Sequence, residues 1–274
     1  MTAASDSHSE SGAPLSGRSV VVTRTREQAA ALAEPLEALG AEVLAFPVLE
    51  TVDPEDWGPA DAAIADLASY DWVVLTSTNG VERFLRRFKA AGGSKEALLS
   101  RKFAAVGSAT AEKMRKHGIP PTLVPEDFRA EGLVDAFASM GACDGWRVLV
   151  PRALEAREIL PDALREMGCT VDVVPVYRVV PAAPDPAVLE RLSAGSVDVL
   201  TFTSGAIAKA FLASVTGAGL DAGAVMSRSV VASIGPVTTT ALRATGYEAD
   251  IEARESTMAS LAAAVAEYFS AGLG

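Results

Sequence analysis

The chain has 274 residues, 49% of them apolar, and a formal net charge of −11. That is enough apolar material for one large core or two ordinary ones, which excludes a disordered or fibrous protein. No apolar run approaches the roughly 18 residues that span a bilayer, and the acidic balance opposes a general attraction for nucleic acid or anionic membrane.

In chain order, the stretch MTAASDSHSESGAPLS at 1–16 is polar and serine-rich. It lacks the basic start and apolar core of a signal peptide, so a disordered tail and a cytoplasmic location are expected. Short Val/Leu/Ile-rich runs then recur at 20–22, 73–75, 104–106, 148–150, 199–202 and 230–234, the pattern of buried parallel strands. Between them lie stretches with helical spacing, such as Leu32, Leu36 and Leu39, or Val81, Phe84, Leu85 and Phe88. Gly40, Gly118, Gly168 and Gly246 close helices. Pro35 falls inside the first helix and is expected either to kink it or to mark a late start. Strands alternating with helices predict parallel sheets covered on both faces.

His8 sits in the tail, and His117 ends the basic run MRKH, where it complements a helix dipole. Cys143 and Cys169 read as small buried residues of a reducing compartment in preference to a disulfide. These residues have no metal-site spacing, so no metal is expected.

The chain also repeats itself once, with an offset of about 128 positions. GRSVVVTR from Gly17 matches GWRVLVPR from Gly145, Gly40 matches Gly168, and Phe46-Pro47-Val48 matches Val174-Pro175-Val176. DWVVLTSTNGVERF from Asp71 matches DVLTFTSGAIAKAF from Asp198, and FAAVGSAT matches VASIGPVT. The proline-rich linkers fall inside the copies, not at their junction, so each domain takes the front of one copy and the back of the other. The expected partition is 17–46 plus 186–270 for one domain and 54–173 for the other. The crossings, 47–53 and 174–185, form a two-stranded hinge that pairs as a short ladder.

VVTR, TSTNGV, FTSGA and IGPVT, in that order and duplicated, resemble the uroporphyrinogen-III synthase family from Gly17 to Phe269. The resemblance implies two flavodoxin-like (doubly wound, parallel-sheet α/β) domains and a substrate cleft between them. It also implies a cofactor-free cyclising lyase. The substrate would be hydroxymethylbilane, closed to uroporphyrinogen III with inversion of the last pyrrole ring and loss of water, and possible hand-over from hydroxymethylbilane synthase follows. No nucleic-acid or membrane partner is expected, and a monomer is. Many relatives carry proline after the serine of the second copy's motif. Gly205 stands there in this chain, and a looser loop with its amide still available is expected.

An acidic protein holds a polyacid only where backbone amides and helix N-termini converge, beyond the strand C-termini of an open α/β sheet. Four turns qualify: Thr76, Ser77, Thr78 and Asn79; Gly107, Ser108 and Thr110; Thr203, Ser204 and Gly205; Gly235 and Thr238. Capping alone is the competing account of each turn. Arg24 and Arg152 hold equivalent strand ends, suited either to carboxylates of the substrate or to structural salt bridges. Lys209 reads as solvated. Tyr177 matches the tyrosine suspected of protonating the leaving hydroxyl in relatives. Its counterpart in the first copy is Leu49, so the strand does not need the phenol; packing at the hinge is the alternative role. A non-catalytic two-domain sensor of a small anion remains the alternative function. A nucleotide enzyme is disfavoured by the lack of a G-x-G-x-x-G or Walker sequence.

Overall fold

The computed structural model describes residues 13–127, 129–141 and 143–272. The chain forms two compact units, Met1–Glu50 with Val180–Gly274, and Thr51–Val179. Ten strands are found among the described residues: β1 Ser19–Val22, β2 Glu42–Ala45, β3 Leu49–Val52, β4 Trp72–Leu75, β5 Lys102–Ala105, β6 Arg147–Ala153, β7 Thr170–Pro181, β8 Val199–Phe202, β9 Val230–Ser233 and β10 Ile251–Glu252. The unit boundaries fall within β3 and β7, which are hydrogen-bonded neighbours in one sheet.

The first unit holds a sheet of order β10-β9-β8-β1-β2, with its recorded pairings all parallel. β1 shows why it is doubly wound. Val20 and Val22 pack on one face against Leu32 and Leu36 of the helix Arg26–Ala38 and Leu261 and Val265 of the helix Met258–Ser270. Val21 packs on the other with Phe202, Phe211 and Val215. A strand buried on both faces leaves no position for polar alternation, hence the unbroken valine run.

The second unit repeats this order. Its sheet runs β3-β7-β6-β4-β5, and Leu123 adds a parallel bridge to Ala104 of β5. Val73 and Leu75 lie with Val81, Phe84 and Met114 on one face; Trp72 and Val74 lie with Leu133, Phe137 and Leu164 on the other. In both sheets the strand order reverses beside one central strand, β1 or β6, and the crevice outside the carboxyl ends at that point is where such sheets take ligands.

Three local expectations are corrected. The tail does not extend through residue 16: Leu15 is fully buried and its amide donates to Leu39 O at 2.9 Å, because the turn before β1 plugs the end of the first helix. Residues 1–12, including His8, lie outside the described residues. The first helix begins at Arg26, so Pro35 does not mark a late start. Gly205, expected to loosen its loop, is instead tightly packed. A Cβ there would stand 2.4 Å from Ala241 Cβ, so the residue lets the helices Gly205–Gly217 and Pro236–Arg243 approach closely. Cys143 and Cys169 are buried, with Cys169 Sγ donating to Cys143 O at 3.4 Å, and burial pushes the Cys169 thiol up to about 11.

Candidate active site

Each predicted turn lies where a parallel strand ends and a helix begins. In the first unit, Thr203 follows β8 and Ser204 caps the helix Gly205–Gly217, its Oγ accepting from Ile207 N at 3.2 Å. Gly235 precedes the helix Pro236–Arg243, and Thr238 in its first turn is 3% exposed. Thr203, Ser204, Gly205, Gly235 and Thr238 share one hollow of about 300 Å³ with Val237 and Ser256. Sequence reasoning missed Ser256. The available signal was Ser256-Thr257 ahead of an apolar run, since Thr257 caps the helix Met258–Ser270.

Arg24 follows β1 at the same end of the sheet. Its Nη2 donates to Gln28 Oε1 at 2.9 Å, its Nε to Gln28 O at 3.2 Å and its Nη1 to Met258 Sδ at 3.4 Å. All three acceptors are neutral, and Arg24 makes no ion pair among the described residues. Burial lowers its pKa from the usual arginine value.

In the second unit, Thr76 follows β4, Ser77 caps the helix Thr78–Ala90, and Asn79 lies in its first turn. Gly107 and Ser108 open the helix Ser108–Lys116, with Thr110 6% exposed behind them. Of these only Thr76 reaches the hollow of about 480 Å³ beyond β4 and β6, which Arg129, Arg152, Arg157 and Ile159 also line. Arg152 is 5% exposed. It donates to Arg157 O at 2.6 Å, pairs with Glu158 through Nη2, and leaves Nε without a partner. Burial lowers its pKa, and the charge of Arg165 adds to this. Of the two roles weighed for the strand-end arginines, the salt bridge describes Arg152 and not Arg24. Glu158 and Arg157 were not foreseen, because nothing in their spacing marks them as partners.

Tyr177, in β7, is 7% exposed and belongs to the core beneath the first turn. Its Oη lies 3.0 Å from Ser77 Oγ, and Ser77 Oγ also accepts from Gly80 N at 3.0 Å. Burial raises the phenol's pKa, with the Ser77 hydrogen bond acting in the opposite sense. Lys209 is exposed, as a solvated helix face requires. Among the described residues, no cluster of His, Cys, Asp and Glu is able to hold a metal ion, and no helix is long and apolar enough to cross a membrane.

Residues 30–263 match the family model of uroporphyrinogen-III synthase HemD. The chain belongs to the uroporphyrinogen-III synthase family. The uroporphyrinogen-III synthase of Synechococcus elongatus is 33% identical over 93% of this chain and 97% of its own length. A putative uroporphyrinogen-III synthase of Methanothermobacter thermautotrophicus is 33% identical over 84% of this chain and 90% of its own. The fold agrees with a uroporphyrinogen III synthase mutant of Thermus thermophilus (TM-score 0.63, 22% identity, 93% of this chain and 99% of that one). It agrees similarly with the Helicobacter pylori uroporphyrinogen-III synthetase (TM-score 0.60, 17% identity, 94% and 100% covered). As a uroporphyrinogen-III synthase the chain is an enzyme, a cyclising lyase acting on a small tetrapyrrole.

Proposed function

We propose that this synthase converts hydroxymethylbilane to uroporphyrinogen III without a cofactor, as a cytoplasmic monomer. It holds the substrate's carboxylates with strand-end turns, those around the first unit's hollow foremost. The observation that carries the binding reading is Arg24: a half-buried guanidinium at the ligand end of β1 with only neutral partners. At the same end of the sheet, Ser204 and the amides opening the helices Gly205–Gly217 and Pro236–Arg243 add donors without adding charge.

Tyr177 protonates the departing hydroxyl. The bond from oxygen to the terminal carbon breaks, water leaves, and the delocalised cation is attacked by the far ring. The carbon proton lost on closure restores the phenol. Because burial raises its pKa, Tyr177 keeps its proton through neutral and mildly alkaline pH. Orientation does the larger share: the linear substrate closes unaided to the uninverted ring, so the protein must hold the last ring where direct closure is strained.

The test supplies hydroxymethylbilane, oxidises the product and separates type I from type III porphyrin. Chelator-treated protein is expected to give the type III isomer at an unchanged rate; an isomer mixture equal to that in buffer overturns the proposal. Tyr177→Phe is expected to slow turnover by about 10- to 100-fold without abolishing it, near the lower end of general-acid assistance. An unchanged kcat removes Tyr177 from the role.

A further inference from the structure

We infer that Ser77 is a positioning residue for the Tyr177 phenol, an inference that rests on the proton-donor reading of Tyr177. The two hydroxyl oxygens are 3.0 Å apart although the residues are 100 positions distant in the chain. Ser77 Oγ already accepts the Gly80 amide at 3.0 Å, which fixes its rotamer at the N-terminus of the helix Thr78–Ala90. When Tyr177 gives its proton to the leaving oxygen, the phenolate becomes an acceptor only. The neighbouring donor is then the Ser77 hydroxyl, itself polarised by an amide at the positive end of a helix. The serine loses no proton. It turns its O–H toward the charge that forms, in surroundings that exclude most water, since Tyr177 is 7% exposed.

The fold does not require this contact. Ser204, the matching serine of the second copy, caps its helix through Ile207 N and has no phenol, because the residue matching Tyr177 is Leu49. The capping function and the phenol contact are therefore separable. A hydroxyl needed only as a cap would not have to meet another hydroxyl. Removing it would then change stability and leave kcat alone.

The experiment is a double-mutant cycle on kcat and KM with hydroxymethylbilane, using Ser77→Gly, Ser77→Thr, Tyr177→Phe and the Ser77→Gly/Tyr177→Phe pair. Glycine is close to serine as a helix N-cap, so Ser77→Gly removes the hydroxyl with little loss of fold, and thermal melts verify this. Ser77→Gly is expected to lower kcat about fivefold with KM little changed, as for loss of one hydrogen bond to a developing charge. Ser77→Thr is expected to restore most of the rate. In the Tyr177→Phe background, Ser77→Gly should have no further effect on kcat. If Tyr177→Phe is slow and the two effects multiply, or Ser77→Gly raises KM alone, or it leaves kcat unchanged, the positioning role is wrong while the proton-donor reading stands. If Tyr177→Phe itself is unaltered in rate, that reading fails and this inference falls with it.

Discussion

Arg24, two residues beyond β1, and Arg152, next to last in β6, hold matching positions of the two copies, one in each unit, yet they have different fates. Arg24 has neutral acceptors; Arg152 is almost fully buried and paired with Glu158. The difference lies in the loop that follows. After β1 the helix starts at Arg26, and Gln28 lies in its first turn. After β6 the chain runs through Leu154–Glu158 without forming a helix until Ile159, long enough to bring a carboxylate back to the guanidinium. Matching positions of the two copies thus give one cation with neutral partners only and one paired with the loop that follows it.

Three substitutions test that contrast. Arg152→Ala should have the largest effect, destabilising by about 3 kcal/mol in denaturant unfolding, because it removes a buried side chain and two charge-assisted hydrogen bonds. A purely kinetic effect there would make the two arginines equivalent after all. Thr238→Met, at a buried helix start lining the first unit's hollow, should cost about 2 kcal/mol by overpacking and raise KM as well. Arg24→Ala should raise KM about tenfold while changing stability by less than about 1 kcal/mol, the signature of a lost carboxylate contact. Calorimetric melts together with the coupled assay separate these outcomes.

The smallest effect concerns acid stability. The Asp198 carboxyl is partly buried, which alone would raise its pKa. The Ser19 amide and hydroxyl, both at 2.8 Å, and Arg18 at 3.0 Å outweigh burial and hold it below the usual carboxylate range. Its stabilisation is therefore complete above the ordinary aspartate value near 4 and is lost as pH falls through the lowered folded value. Asp198→Asn should abolish that part of the pH dependence in acid titrations of unfolding, leaving the neutral-pH fold in place.

Much of the fold was legible because its signals are local. Valine runs buried on two faces cannot alternate, and Gly40 and Gly168 end helices at φ near +90°, where side chains are strained. The four turns were legible for the same reason, since a small hydroxyl residue between strand and helix carries its geometry with it. What escaped were contacts set by distant residues. Leu15 looked like tail because its cover, Leu39, comes after the first helix. Gly205 looked loose because Ala241, which crowds it, is on another helix. The meeting of Ser77 with Tyr177 needs β4 and β7 to be placed on either side of β6.

The Asp198 clamp has a twin: Asp71 accepts the Arg147 amide at 2.8 Å, as Asp198 accepts that of Ser19. Each clamp fastens the start of a central strand to a residue from the other copy. On the ribosome this separates order of synthesis from order of completion. Residues 51–179 emerge as a contiguous block and have all their sheet partners once β7 is out. β1, made before them, pairs with β2 but lacks its other neighbour until β8 emerges at Val199–Phe202. The earlier-made strand is thus the one that waits longer, with its valines unshielded. Chaperone engagement is therefore expected at the N-terminal segment even while the middle of the chain is already native.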